Sequence, residues 1–343
     1  METVLSADCR QQAFALAEGT QVASTRRAAL ELAAAAGFGE ITAGQLALLV
    51  TESATNILKH AGHGEILLRP TARAGVQGVE VIALDHGAGI RDLAGSMADG
   101  TSTAGSYGVG LGAIERMASE FDIYTAPGKG TVLYMVLWAG DTPPQDSFQV
   151  GVVCQPIAGE SACGDSWSVS CAPTQATLVV ADGLGHGPLA AQASGAAAAA
   201  IAREPGLPPS TLLEHAHGML RSTRGAAVSV AQVDTHEEEV RFAGVGNVAA
   251  HLFNAGERKQ LVSHNGIVGS NMRKVQQFSM PWNPGAMIVM HSDGLASRWD
   301  LDQYPGLVSR HPALIAAVLY RDFSRKRDDV AVLVVRDRQG QHQ

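Results

Sequence analysis

A polar stretch carrying a Pro-Pro pair, Ala139-Gly-Asp-Thr-Pro-Pro-Gln-Asp-Ser147, cuts the sequence into two parts with different hydrophobic periods. Proline breaks helices and strand ladders alike, and the stretch has almost nothing apolar to bury, so a separate core must form on each side of it. Before it, helical and strand patterns alternate. The spacing predicts a helix over 22–36 ended by Gly37, a second helix over 42–60, and strands over 65–68, 79–85 and 131–137. After it strands dominate, at 150–154, 167–171, 176–181, 227–233, 240–245, 249–253, 286–291 and 330–335, with two or three helices between them. A further break, Glu204-Pro-Gly-Leu-Pro-Pro-Ser210, ends an alanine-rich helical run at 190–202; it reads as a loop inside the second domain, with Ser210 capping the next helix. The chain is therefore expected to be α+β, with a first domain over 1–139, a linker over 140–148 and a β-rich layered domain over 149–338.

Composition narrows the function classes. With 46% apolar and 17% charged residues over 343 positions, two ordinary cores can be buried. The net charge is −8 and neither part is basic, which argues against nucleic acid as a partner. No apolar run is long enough for insertion into a membrane. The start METVLSADCRQQ lacks the charged lead and apolar core of a signal peptide, so the expected compartment is the cytoplasm. Cys9, Cys154, Cys163 and Cys171 form no CxxC pair and read as reduced thiols, not a zinc site or a disulfide framework.

In the helix over 42–60, Leu46, Leu49, Val50, Ala54 and Ile57 make an apolar stripe, and Glu52, Asn56 and His60 follow one another at single-turn spacing on its flank. An amide oxygen suits Mg²⁺, and a carboxylate can accept a proton from an attacking hydroxyl. Alone, the same residues describe a solvated helix edge, with His60 a packing residue. The next segment weighs against that. The apolar run Val79 to Leu84 ends in Asp85, followed by His86-Gly87-Ala88-Gly89. A strand-end carboxylate can accept a hydrogen bond from an exocyclic amine, and glycines beside it admit a flat base. The glycine-rich stretch 100–112 then leads into a helix, where backbone N–H groups can wrap a polyphosphate.

These segments resemble the four motifs of the GHKL ATPases: TESATNILKH the N box, LDHGAGI and YGVGLGAIERMA the two glycine boxes, and Gly128-Lys-Gly130-Thr131 the closing strand. The run from Asp99 to Thr131 is similar to the anti-sigma-factor serine kinases of the RsbT type. The resemblance implies a Bergerat α/β sandwich that binds ATP with Mg²⁺. Glu52 would be the general base and Asn56 the Mg²⁺ ligand. Asp85 and Thr131 would hold adenine, and Gly87, Gly89, Gly108, Gly110 and Leu111 would shape the pocket and lid. No phosphoacceptor helix pair precedes the domain, which favours protein-serine kinase chemistry over autophosphorylation.

In the second part, acids sit at the ends of apolar strands: Asp165 before 167–171, Asp182 after 176–181, Asp293 after 286–291, and Asp328-Asp329 before 330–335. Any single Asp-Gly reads as a turn. Several carboxylates gathered at strand ends repel one another unless a cation sits among them, and oxygen ligands suit Mg²⁺ or Mn²⁺. The phrases SACGDSW, VADGLGHGPLAA, GVGNVAAHLF, HSDGL and RDDVAVLVVR resemble the metal-dependent (PPM) protein phosphatases of the SpoIIE branch, and the GLGHG loop is similar to the RsbX type. The resemblance implies an α-β-β-α sandwich holding two Mn²⁺ or Mg²⁺ ions that activate a water. Asp182 would bridge the ions, with the Gly183 carbonyl, Asp165, Asp293 and Asp328 completing the site. Asp329 is the alternative to Asp328, because spacing cannot separate neighbouring acids. His186 reads as a proton donor or a loop brace, and Asn247 as a turn former.

Together the two resemblances imply a signalling protein whose first domain phosphorylates, and whose second dephosphorylates, a STAS-type (anti-anti-sigma or stressosome) phosphoprotein. In the alternative, only the phosphatase turns over and the GHKL domain is a nucleotide-dependent partner-binding module.

Overall fold

The computed structural model describes residues 3–6, 10–97, 110–273 and 275–338. The chain runs β1 (Thr3–Ser6), β2 (Gln12–Leu16), α1 (Gly19–Ala35), α2 (Glu40–His60), β3 (Gly64–Arg73), β4 (Val76–Asp85), α3 (Leu93–Met97), α4 (Leu111–Met117), β5 (Glu120–Thr125) and β6 (Thr131–Trp138). It continues with β7 (Phe148–Gln155), β8 (Asp165–Cys171), β9 (Gln175–Gly183), α5 (Pro188–Arg203), α6 (Pro209–Met219), β10 (Ala226–Asp234), β11 (Glu239–Val245), β12 (Ala249–Asn254), β13 (Glu257–Leu261), β14 (Phe278–Pro281), β15 (Met287–His291), α7 (Pro312–Phe323) and β16 (Val330–Asp337). Two compact units result. One takes in β2 to β6 together with the excursion Asp300–Arg321; the other takes in β1, β7 to β15 and the closing β16.

In the first unit, five antiparallel strands lie in the order β2-β3-β4-β6-β5. The stripe Leu46, Leu49, Val50, Ala54 and Ile57 of α2 packs with α1 on one face of this sheet, against Val79, Val81 and Ala83 of β4 and Leu133, Met135 and Leu137 of β6. Gly37, at φ 73°, ends the first helix in the left-handed region that glycine enters without steric cost. The opposite sheet face is covered as well. Tyr134 stacks on His311 at 4.1 Å between ring centroids, and Tyr124 meets Tyr304 edge-on at 6.3 Å. Asp122 accepts the His311 N–H at 2.7 Å and an Arg310 N–H at 3.2 Å. Burial on both faces explains why β6 reads as a continuous apolar run and why β4 from Val79 to Leu84 is broken only by Glu80, which pairs with buried Arg69 at 2.7 Å.

The second unit is built on two sheets, β1-β8-β9-β10-β11-β14 and β13-β12-β15-β16-β7. Their facing side chains, among them Trp167, Phe242, Trp282, Ile288 and Leu333, form one core. A second core joins α5 and α6 to the six-stranded sheet through Ala197, Ile201, Leu212 and Leu213 against Val179, Val228 and Val230. The alanines of α5 let it lie close to the sheet; a Cβ on Gly183 would stand 2.1 Å from the Ala190 carbonyl oxygen. Pro208, not Ser210, is the N-cap of α6; Ser210 lies within the first turn, its N–H donating to Gln277 Oε1 at 3.3 Å.

Candidate active sites

In the first unit the chemistry gathers where α2, β4 and β6 end. Glu52 and Asn56 lie half-buried beside the buried stripe of α2. His60 is exposed, so it does not pack as the sequence suggested. Asp85 closes β4, and its Oδ1 accepts the Gly87 N–H at 2.7 Å and the Thr131 N–H at 3.2 Å. Two backbone donors on one oxygen fix the carboxylate's direction and leave Oδ2 outside these bonds. The hydroxyls of Thr125 and Thr131 are 3.1 Å apart, and the Ile90 N–H donates to Thr125 Oγ1 at 2.8 Å, which ties the first glycine box to β5 and β6. Gly89, at φ 71°, cannot be replaced without collision, because a Cβ there would meet the Ala126 carbonyl oxygen at 2.0 Å. Gly110 is the extended N-cap of α4 and Leu111 its first residue. Gly108 and Cys9 lie outside the described residues.

In the second unit the predicted acids come from both sheets. Asp165 opens β8 directly opposite Asp182 near the end of β9. Asp293 follows β15, and Asp328 and Asp329 precede β16, which pairs with β15. Burial, then the charges of Asp293, Asp328 and Asp329, push the Asp182 carboxyl up to about 7. Burial, with Cys163, Asp182 and Asp329 as neighbours, also raises Asp165 well above the carboxylate range, although Ser292 donates to it. Asp165 is only 3% exposed, and Oδ2 of Asp165 and Oδ2 of Asp329 are buried with no hydrogen-bond partner. As they stand, no three His, Cys, Asp or Glu side chains among the described residues are arranged to grip a metal ion. The mutual repulsion and the orphaned oxygens are what divalent cations would relieve, so the donor set fits hard cations.

Glycines let these strand ends converge. A Cβ on Gly164 would stand 2.5 Å from Asp329 Oδ2, and one on Gly294 would stand 1.9 Å from the Asp329 carbonyl oxygen. Asp329 Oδ1 accepts the Ile157 N–H at 2.9 Å. Its charge reaches both Asp165 and Asp182, whereas that of Asp328 bears on Asp182. His186 is exposed, with Nδ1 2.9 Å from Glu160 Oε1, a contact suited to bracing the loop. The Sγ atoms of Cys154 and Cys163 approach to 3.6 Å as free thiols.

Asn247 does more than shape a turn. Its Nδ2 donates to Asp293 Oδ2 at 2.7 Å. The only sequence signal is an Asn after Gly246, itself at φ 99°. An amide holding a metal-directed carboxylate typically matters about 10–100-fold in ion affinity. Asn247→Ala is therefore expected to raise the Mn²⁺ concentration for half-maximal phosphatase activity by about that factor, with turnover at saturating Mn²⁺ largely kept. A Mn²⁺ titration of activity checks it.

A GHKL-type ATPase domain joined to a PPM-type protein phosphatase domain is the class that these folds and sites define. A family model described as a histidine kinase-like ATPase domain matches residues 15–137, and one described as stage II sporulation protein E (SpoIIE) matches residues 172–338. The serine/threonine-protein kinase RsbT of Bacillus subtilis (strain 168) is 33% identical over 117 residues, covering 34% of this chain and 88% of that protein. The chain belongs to the RsbT family and carries a SpoIIE-type phosphatase domain in the same polypeptide. The phosphoserine phosphatase RsbX of the same organism is 26% identical over 138 residues, 40% of this chain and 69% of that protein. A solved chain from work on the bacterial stressosome, described as a modular system adapted to control secondary messenger signaling, is 28% identical with a TM-score of 0.53, covering 56% of this chain and 100% of that one. No helix among the described residues is long and apolar enough to cross a membrane.

Proposed function

We propose that this is a cytoplasmic switch enzyme that sets the phosphorylation state of a STAS-domain protein. The phosphatase domain removes phosphate from serine or threonine, and the RsbT-like domain transfers the γ-phosphate of ATP onto such residues. The observation that supports the phosphatase reading is the set of acids at strand ends of both sheets: Asp165 opposite Asp182 across β8 and β9, and Asp293, Asp328 and Asp329 at the ends of the paired β15 and β16. Burial and the charges of Asp293, Asp328 and Asp329 push the Asp182 carboxyl up to about 7. Asp182, Asp165, Asp293, Asp328 and the Gly183 carbonyl would hold two Mn²⁺ or Mg²⁺ ions, with Asp329 braced by the Ile157 N–H beside them. When bound, such ions supply an activated water and neutralise charge on the phosphoryl oxygens. The protein's own part is to hold the carboxylates: Asn247 fixes Asp293, and the tight approach at Gly164 and Gly294 keeps the strand ends together.

In the first domain, Glu52 would take the proton of the acceptor hydroxyl, Asn56 would bind Mg²⁺, and Asp85 would accept the adenine amine while its other oxygen stays fixed by Gly87 and Thr131. The direct test is incubation of the purified chain with a phosphorylated STAS protein and Mn²⁺, and separately with the unphosphorylated protein and ATP·Mg²⁺. Phosphate release in the first reaction and label transfer in the second support the proposal. Absence of release in the first removes the phosphatase assignment.

The raised carboxyl of Asp182 gives a pH prediction. Its folded-state value lies above the usual carboxylate range, so the fold favours the protonated form, and ionisation as pH climbs towards and through about 7 weakens the ion-free fold. Cation binding needs the carboxylate and displaces the proton below that pH. The apparent Mn²⁺ affinity should therefore rise from pH 6 to pH 8, with proton release on binding large at the lower pH and small at the higher. Titration calorimetry in buffers of different ionisation enthalpy reads both; a pH-independent affinity contradicts the assignment.

A further inference from the structure

Residues 300–321 lie in sequence between Asp293 and Asp328, the acids assigned to the phosphatase centre, yet they pack within the nucleotide-binding unit. From Pro312 to Leu319 α7 is apolar around its whole circumference, and it is buried along Pro312 to Arg321. Its polar contacts within that unit are specific. Besides the contacts of Arg310 and His311 with Asp122 and Tyr134, the Tyr320 hydroxyl donates to Glu65 Oε1 at 3.4 Å, and Glu65 pairs across β3 and β4 with Leu84.

Arg321, 5% exposed, reaches the nucleotide site itself. Its Nη1 donates to the main-chain carbonyl of Asp85 at 2.8 Å, and a Cβ on Gly130 would stand 3.0 Å from the same nitrogen. The guanidinium thus lies at the junction of the end of β4 with Gly130-Thr131. Asp85 is gripped twice: its carboxylate by the Gly87 and Thr131 N–H groups, its backbone by Arg321. Beyond Arg321 the chain returns to the phosphatase unit. There the Ala296 N–H donates to the Phe323 carbonyl at 2.9 Å and the Arg325 N–H donates to the Gly294 carbonyl at 2.8 Å, directly after Asp293 and shortly before Asp328.

We infer that Arg321 is a positioning residue of the nucleotide site and that, through it, nucleotide bound at Asp85 changes turnover at the phosphatase centre. The inference rests on the reading of Asp85 as the adenine-holding residue. A ligand shifts another site only by contacting a group that responds to it, and the Asp85 backbone held by the segment that leads to Asp328 is such a group. Any part of the link that acts on binding is reciprocal, so divalent ions at the phosphatase centre change nucleotide affinity by the factor with which nucleotide changes theirs; the effect on turnover carries no such symmetry.

The experiment uses the full chain as wild type, Arg321→Gln and Arg321→Lys, at buffered, saturating free Mn²⁺. Three quantities are read: anisotropy of a fluorescent ADP analogue, p-nitrophenyl phosphate hydrolysis with and without a non-hydrolysable ATP analogue, and the melting midpoint. The analogue should change wild-type kcat by about fivefold or more. Arg321→Gln should bind nucleotide more weakly and lose that response, and Arg321→Lys, which keeps a donor, should restore part of both. Equal nucleotide affinity in wild type and Arg321→Gln overturns the positioning role. Nucleotide that binds wild type without moving its phosphatase turnover overturns the link. Failure of wild type to bind nucleotide at all removes the Asp85 reading, and the inference falls with it. A variant with a lowered midpoint is judged by the response of Arg321→Lys.

Discussion

Asp182→Ala and Asp293→Ala are each expected to abolish Mn²⁺-dependent hydrolysis of p-nitrophenyl phosphate, by on the order of 10³-fold or more, equivalent to about 4 kcal/mol of transition-state stabilisation. Asp182 stands opposite Asp165 in the β8–β9 register and feels the charges of Asp293, Asp328 and Asp329, so its loss would remove the group proposed to share cations with the other acids. Asp293 is held by Asn247 and comes from the other sheet, so its loss opens the cluster from a different side. Neither variant should unfold. Burial and like charge already work against ionised Asp182 in the ion-free fold, and alanine removes that cost without opening a large cavity. Circular dichroism and the melting midpoint check folding, and a phosphate-release assay checks turnover. Retained turnover in both variants overturns the metal assignment.

Glu52→Ala is expected to lose transfer of γ-phosphate from ATP to a STAS partner, on the order of 10²–10⁴-fold, the usual contribution of a positioned general base. Nucleotide binding should persist, because the contacts assigned to adenine lie on β4 and β6, at Asp85 and Thr131. Glu52 sits on the half-buried flank of α2, outside the packed stripe, so alanine leaves the core intact. This variant also separates the two readings of the first domain. If wild type transfers labelled phosphate and Glu52→Ala does not, a purely binding role for the domain fails. If wild type binds ATP and transfers nothing to the partner, the domain is a nucleotide-dependent regulator and only the phosphatase turns over.

Much of this was legible in the sequence because its signals are local. The stripe on α2, the glycine that ends α1 and the acids that close apolar strands each occupy a few consecutive residues, and the structure puts those elements where the pattern predicts. What escaped depends on contacts between distant segments. The segment Pro312 to Tyr320 is apolar on every side, so it carries no amphipathic period to show that it is a helix or which unit it joins. Burial of the sheet on both faces also explains the unbroken apolar run of β6. β1 precedes the nucleotide domain in sequence but pairs with β8 of the other unit, a partnership that no local pattern encodes. Asn247 looks like a turn residue, and its bond to Asp293 spans 46 positions. Asp328 and Asp329 were inseparable by spacing. In three dimensions Asp329 is the more buried, and its Oδ2 is left without a partner.

Strand-end carboxylates of the second unit are proposed to gather two divalent ions around Asp182. Anomalous diffraction from crystals of the full chain grown with Mn²⁺ locates such ions. Two manganese peaks about 3.5–4 Å apart are expected, with an oxygen of Asp182 between them and carboxylates from Asp165, Asp293 and the Asp328–Asp329 pair around them. Manganese bound elsewhere, or none near Asp182 at saturating concentration, would contradict the proposal.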